Sequence, residues 1–304
     1  MKSQSAPVAS APVQRPRVWT VLVAFVVMFG LLVIGSTLVN HLAMGIEAAR
    51  AGVDPSDSAA QAALAEKVEA LPWPTVAVVM LVGTVALSLA LLGGRLSPRP
   101  LGERLRLEAG VPLPAWAWLT AAVGCFAVGQ SLESLAVLTG AWSWTGSLKG
   151  FEAASQGPLG TFALLLFFGS PVAGLAEELF FRGYVQTRLV ERWGPKAGVV
   201  GAATLFGLLH LDPIHGPITL VVALFLGWLA VHTGSVRLPI FVHILNNGTS
   251  FLLSRYAPPS SEYPASVHTT LLCVCLLLVV GAVVLLRRLP DASQPAAPAV
   301  LAGA

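Results

Sequence analysis

A series of long apolar segments constrains the fold of this chain more than any other feature of its sequence. A helix needs about 20 apolar residues to cross a bilayer, and 55% of the 304 residues are hydrophobic while only 11% are charged. A soluble domain carries about 25% charged residues. The sequence therefore predicts an all-α polytopic membrane helix bundle with about eight transmembrane helices. The candidate spans are 18–42, 74–92, 114–138, 159–190, 196–211, 217–233, 238–256 and 267–286.

Three of these segments depart from a simple span. Ser170-Pro171 lies inside the fourth segment, and a proline at that position predicts a kinked or broken helix. The fifth and sixth segments are short, and only 211–216 separates them. The sequence leaves open whether this pair crosses the membrane fully or is partly re-entrant.

Composition divides the chain into five parts. Pro- and Ala-rich stretches predict disordered tails at both ends. Between them we expect N-terminal spans with an exterior loop at 43–73, a core of further spans and a last span. A short surface helix capped near Asp57 or Ser58 is expected in that loop. In chain order the five parts are 1–17, 18–157, 158–256, 257–289 and 290–304.

The basic residues predict an orientation in the membrane. Lys and Arg concentrate in cytoplasmic loops, and in an eight-span count the basic clusters at the span ends fall on one side. Both termini are then cytoplasmic and loop 43–73 is exterior. The Ala-, Val-, Leu-, Pro- and Gly-rich composition favours a bacterial inner membrane, and a net charge of only +3 argues against nucleic-acid binding. The clusters are Lys2, Arg15 and Arg17; Arg95, Arg99, Arg104 and Arg106; Arg188, Arg192 and Lys196; Arg237; and Arg287 and Arg288.

Three charged residues lie well inside the fourth apolar segment, away from Arg188 near its end: Glu177, Glu178 and Arg182. Charges at bilayer depth are costly and indicate a functional site. The i,i+4 spacing lets Glu178 pair with Arg182. Glu177 points about 100° away from them, and a carboxylate without a partner on its own helix suits a general base. The alternative is an ion-pair network that braces the bundle.

Two further pairs that include polar residues occur on apolar helices, each with i,i+4 spacing on one face. Phe206 and His210 form the first pair. His243 and Asn247 form the second, and an imidazole and an amide so placed can both donate to one oxyanion. Asn246 is the adjacent alternative donor. Ordinary hydrogen bonding between helices is the structural alternative for this pair.

Other polar or reactive residues in apolar surroundings receive lesser roles. Gln130 and Glu133 lie within the third span, and we expect Glu133 to contact the bundle or line a cavity. His215 falls in the turn between two short spans and is predicted to be a loop residue. The three cysteines have no metal-ligand or disulfide spacing and are expected to pack as small apolar residues.

Taken in order, the three polar motifs resemble those of the CPBP intramembrane proteases. That family includes the type II CAAX prenyl endopeptidases, bacteriocin-processing or immunity proteins, and the bacterial myxosortase branch. The resemblance covers about residues 158–256 and implies that this part of the chain is the catalytic core. The motifs are Glu177-Glu178-xxx-Arg182, Phe206-xxx-His210 and His243-xxx-Asn247.

The resemblance implies roles for these residues. Glu177 together with His210 would activate a water molecule, while His243 and Asn247 would stabilise the oxyanion. Members of the family have been described both as metal-dependent and as glutamate proteases. A zinc ion normally takes three protein ligands and a water, and Glu177, His210 and His243 could supply them. No cofactor is favoured, because a metal-bound His243 could not also serve the oxyanion; zinc is left open. The supporting positions are Glu178, Arg182 and Phe206.

The leading hypothesis is an intramembrane endopeptidase. It would cut near the C-terminus or a membrane-proximal region of a membrane-associated protein or peptide precursor, with the bilayer as its other partner. Sorting signals or small peptide precursors fit a bacterial chain better than prenylated proteins do. One alternative is a non-enzymatic immunity or scaffold protein of the same fold. The other is a proton-coupled transporter, against which the sequence shows no internal repeat.

Overall fold

The computed structural model describes residues 17–54 and 56–292. The predicted tails therefore lie outside the described residues, except for their innermost positions. All regular structure in the described part is helical. The helices are α1 (Trp19–Ala51), α2 (Ser58–Glu69), α3 (Pro72–Arg95), α4 (Leu101–Arg104), α5 (Ala115–Leu138), α6 (Ser147–Gln156), α7 (Leu159–Trp193), α8 (Pro195–Leu209), α9 (His215–Thr233), α10 (Arg237–Tyr256) and α11 (Ala265–Leu286).

Each of the eight predicted spans coincides with one of these helices. Six described helices, namely α1, α3, α5, α7, α9 and α11, are long and apolar enough to cross a membrane. Helix α8 is apolar but has only 15 residues, and α10 has 20 residues but carries several polar side chains. The chain is thus a multi-pass helical membrane protein. Full crossing by α8 and α10, and the orientation of the termini, stay predictions.

The predicted loop 43–73 is largely helical. Helix α1 runs on to Ala51 because its buried Glu47 is paired with Arg50 and with Lys67 of α2, each at 2.7 Å. Gly52 then ends α1 in the left-handed conformation. The surface helix was predicted correctly: Asp57 caps α2 by accepting hydrogen bonds from the backbone of residues 59 and 60.

Helix α7 is the element that carries the glutamates, and two π-helical turns interrupt it. The predicted kink or break at Ser170-Pro171 takes the form of the turn Phe168–Val172, which accommodates a residue without a backbone N–H. The second turn, Leu179–Gln186, was not predicted. Both turns flank the glutamates, and such turns often occur at functional sites.

A close approach between α7 and α10 sets the position of the site. A side chain at Gly174 would lie 3.0 Å from the backbone nitrogen of Ile244, so a larger residue would push the helices apart. Small residues allow such contacts between membrane helices. Ser170 also donates to the Ile244 carbonyl at 2.8 Å. The glutamates lie one helical turn after Gly174, so these contacts place the polar residues of α10 next to them.

Candidate active site

A cavity of about 560 Å³ lies within the bundle, and the predicted catalytic residues meet on its wall. Glu177 comes from α7, His210 from the end of α8, and His243 and Asn247 from α10. Three separate helices thus bring together residues that are up to 70 positions apart in the sequence. A cavity of this size lies in the ordinary range for ligand sites.

The predicted ion pair on α7 is present and fully buried. Arg182 Nη1 lies 2.6 Å from Glu178 Oε1, and the two side chains are 1% and 0% exposed. The other terminal nitrogen of Arg182 donates to the carbonyl of Ala223 on α9 at 3.3 Å. The pair therefore links α7 to α9 at the back of the site.

Glu178 has a second partner that helical spacing alone does not predict. His243 Nδ1 lies 2.7 Å from the same oxygen, Oε1. Because a carboxylate paired with arginine accepts hydrogen bonds, we assign the Nδ1 proton to His243. The other oxygen, Oε2, has no hydrogen-bond partner among the described residues. Glu178 thus orients the imidazole as well as pairing with Arg182.

Glu177 faces the opposite edge of the same imidazole. Its Oε2 lies 3.8 Å from His243 Nε2, which is longer than a hydrogen bond, and its side chain is 12% exposed. The sequence predicted a carboxylate without a partner on its own helix. Across the helices, His243 lies between the two glutamates, with Glu177 near one ring nitrogen and Glu178 bonded to the other.

His210 is held by a local hydrogen bond. Its Nδ1 lies 2.9 Å from the carbonyl of Phe206, which can only accept, so Nδ1 carries the proton. Nε2 is then an unprotonated acceptor. The ring of Phe206 contacts His210 and His243, with centroids 5.0 and 6.1 Å apart, and Arg182 lies over its face at 4.9 Å. Phe206 thereby packs against three of the polar residues.

The two asparagines are tied to their surroundings. Asn247 Nδ2 donates to the carbonyl of Gly169 in the first π-helical turn at 2.9 Å. Asn246 donates to Asn247 at 3.3 Å. Both side chains line the cavity, so Asn246 stays an alternative donor, as the sequence suggested. Each amide retains one N–H hydrogen that these hydrogen bonds do not use.

The cavity also contains residues outside the three motifs. Gln130 and Glu133 line it, in agreement with one of the two roles expected for Glu133. The prediction that His215 is a loop residue is wrong, because His215 begins α9 and lines the cavity beside His210. A carboxylate three positions earlier, at Asp212, is the sequence signal of a helix start that would have revealed this.

The metal-dependent alternative involves Glu177, His210 and His243. Within 17–54 and 56–292, no three His, Cys, Asp or Glu side chains are close enough together to hold a metal ion. Metal dependence, with Glu177, His210 and His243 as the ligands, stays a prediction.

Comparison with known proteins agrees with the motifs. Residues 159–249 match a protein-family model described as type II CAAX prenyl endopeptidase Rce1-like. The matched stretch lies within the predicted core, and it confirms the resemblance to the CAAX and CPBP proteases. Neither a curated protein nor a solved structure gives a significant match.

Proposed function

We propose that this protein, whose residues 159–249 are similar to type II CAAX prenyl endopeptidases, is an intramembrane endopeptidase that uses Glu177 as its general base. The observation that carries the proposal is the placement of two unlike carboxylates around one imidazole. Glu178 is neutralised by Arg182, whereas Glu177 lines the cavity and lies beyond hydrogen-bond distance of His243, at 3.8 Å. Glu177 thus lines the cavity without a hydrogen bond from His243, which suits a general base.

Water activation is assigned to Glu177 and His210. Both line the cavity, and His210 presents an unprotonated Nε2 because Nδ1 donates to a carbonyl. In the proposed step Glu177 takes a proton from a water held with His210, and the hydroxide attacks the scissile carbonyl carbon. The tetrahedral intermediate collapses as Glu177 returns that proton to the leaving amine.

Oxyanion stabilisation is assigned to His243 and Asn247. Since Nδ1 of His243 donates to Glu178, this imidazole can donate from Nε2 only when both nitrogens carry protons. That state balances charge, because the site then holds two carboxylates, one guanidinium and one imidazolium. Asn247 contributes the N–H that Gly169 does not use. Donors held in place before reaction stabilise developing charge at little reorganisation cost.

The substrate we propose is a membrane-associated protein or peptide precursor cut near its C-terminus or beside the membrane. A cavity surrounded by membrane helices admits a chain that is already in or on the bilayer. Its wall includes apolar side chains such as Val78, Val82 and Phe126 next to the polar groups. This lining suits an extended apolar segment whose peptide bond reaches Glu177.

A proteomic comparison tests the function before any substrate has been identified. Cells that carry the wild-type chain, Glu177→Gln, His210→Ala or the control Glu66→Gln are compared for new protein termini in their membranes. Glu66 is an exposed carboxylate on α2, outside the cavity. We expect a set of cleaved termini with wild type and Glu66→Gln that is missing with Glu177→Gln and with His210→Ala.

Purified proteins in liposomes then give rates on two quenched fluorescent peptides. One carries an apolar helix followed by two arginines, and the other is a farnesylated CAAX peptide. Loss of a general base typically lowers the rate by about 10²–10⁴-fold. Equal cleavage by wild type and Glu177→Gln would refute the assignment. Activity silenced by a chelator and restored by zinc, with stoichiometric zinc in the active protein, would replace the glutamate mechanism with a metal mechanism.

A further inference from the structure

His215 lies beside the catalytic His210 and has no role in the mechanism above. Its ring contacts that of His210 edge-on, with centroids 4.4 Å apart and planes at 72°. A similar contact joins it to Phe151 on α6 at 5.8 Å. His215 also lines the cavity. Its ring therefore fills the space between α6 and His210.

Asp212 anchors the segment that carries His215. One carboxylate oxygen accepts from the backbone of Ile214 and His215 at 2.9 and 2.7 Å. The other accepts from the Thr145 hydroxyl and from the backbone of residues 146 and 147, at 2.9–3.0 Å. A carboxylate at the first turns of α6 and α9 also complements both helix dipoles.

The charge of Asp212 follows from these contacts. Burial raises the pKa of this carboxyl group, but the backbone donors and the Thr145 hydroxyl lower it more, so the net pKa is well below its usual range. Asp212 is consequently an acceptor only at neutral pH. The direction of every hydrogen bond that reaches it is thereby fixed.

Ser147 connects this carboxylate to the imidazole. Its Oγ lies 3.0 Å from Asp212 and 3.0 Å from His215 Nδ1. A hydroxyl has a single proton, and Asp212 can only accept, so Ser147 donates to Asp212. Its oxygen then accepts from His215, which places the imidazole proton on Nδ1 and leaves Nε2 unprotonated.

We infer that His215 is a positioning residue of the active site, fixed by Asp212 through Ser147, and that its ring holds the ring of His210 in place. The inference rests on the proposed function, because it assigns a role relative to His210. His210 is anchored at Nδ1 by the Phe206 carbonyl, with the Thr219 hydroxyl 3.3 Å from the same nitrogen, and the contact with His215 restricts rotation of the remaining ring edge. Residues that fix a catalytic group matter because small displacements lower the rate strongly.

Ring nitrogen spectra test the hydrogen-bond chain without any substrate. The full-length protein, labelled with ¹⁵N-histidine in liposomes, is compared with Ser147→Ala, Ser147→Thr and the control Ser143→Ala. Thr keeps a hydroxyl at the position, whereas Ser143 is exposed and its side chain donates to Gly140. We expect the Nδ1–H form of His215 in wild type, Ser147→Thr and Ser143→Ala, and its loss together with increased motion of the His210 ring in Ser147→Ala.

The wild-type form with the proton on Nε2, or unchanged spectra in Ser147→Ala, would overturn the inference. Cleavage of the fluorescent peptides supplies the kinetic readout. Ser147→Ala should lower kcat by about ten- to a hundredfold with KM unchanged, and Ser147→Thr should restore most of it. Full kcat in Ser147→Ala with an inactive Glu177→Gln refutes the positioning role alone. An active Glu177→Gln refutes the proposed function, while the spectra still decide the hydrogen-bond chain.

Discussion

Replacement of Arg182 by alanine is the sharpest test of the buried charges in this site. The change removes the partner of Glu178 and the donor to Ala223 in one step. It also removes the guanidinium that lies over the ring of Phe206. Among the described residues, His243 alone would still donate a hydrogen bond to the carboxylate of Glu178.

The size of the effect follows from burial. Both members of the Glu178–Arg182 pair are essentially inaccessible to solvent, and breaking such a pair costs roughly 3–5 kcal/mol. That loss lowers the folded-to-unfolded ratio by about 10²–10⁴-fold, against a total stability of about 5–15 kcal/mol. Arg182→Ala should therefore lower folded yield as well as activity.

An exposed arginine offers a matched control. Arg99 pairs with Glu191 at 3.2 Å, but its side chain is 43% exposed. Surface pairs contribute about 0–1 kcal/mol, so Arg99→Ala should be close to wild type. The stabilities of wild type, Arg182→Ala and Arg99→Ala are compared by unfolding in mixed micelles with an increasing fraction of SDS, followed by intrinsic fluorescence.

A double variant separates the effect of leaving the Glu178 charge unpaired from the effect of losing the Arg182 side chain. Glu178→Gln with Arg182→Gln removes both charges and retains an acceptor for the Nδ1 proton of His243. We expect it to recover part of the yield lost in Arg182→Ala. If Arg182→Ala and the double variant both unfold at the same SDS fraction as wild type, the ion-pair argument is wrong.

Three further outcomes are expected. His243→Ala and Asn247→Ala should each lower kcat by about 10²–10³-fold with a smaller effect on KM, because oxyanion donors act mainly in the transition state; a change confined to KM would contradict this. Cysteines placed at Glu66 and after Arg288 should react from outside and inside the cell respectively, and labelling of both from one side would contradict the predicted orientation. The stability advantage of wild type over Asp212→Asn should narrow as pH falls below about 4, the usual pKa of an aspartate. Because the pKa of Asp212 is lowered in the folded protein, the carboxylate stabilises the fold at pH values above its unfolded pKa, and this stabilisation is lost as pH falls. A constant difference measured by SDS unfolding between pH 7 and pH 3 would contradict that argument.

Local sequence patterns were enough to locate the helices and to identify the unusual polar residues. Apolar length is a local property, so all eight predicted spans coincide with helices. The Glu178–Arg182 pair could also be predicted because both residues are on one helix at i,i+4. Capping at Asp57 followed from the same kind of local rule. The free-energy cost of placing a charge in an apolar segment then identified Glu177 as a candidate catalytic residue.

Packing between helices determined how these residues face one another. Glu178 and His243, like Ser147 and Asp212, are 65 positions apart. Their contacts depend on the packing distance between helices, which the close approach at Gly174 sets for α7 and α10. The helical period predicts which face of its own helix a residue occupies, but it does not predict which other helix packs against that face. For that reason His243 was correctly placed with Asn247 on one face, while its position between two glutamates came from the packing of the helices.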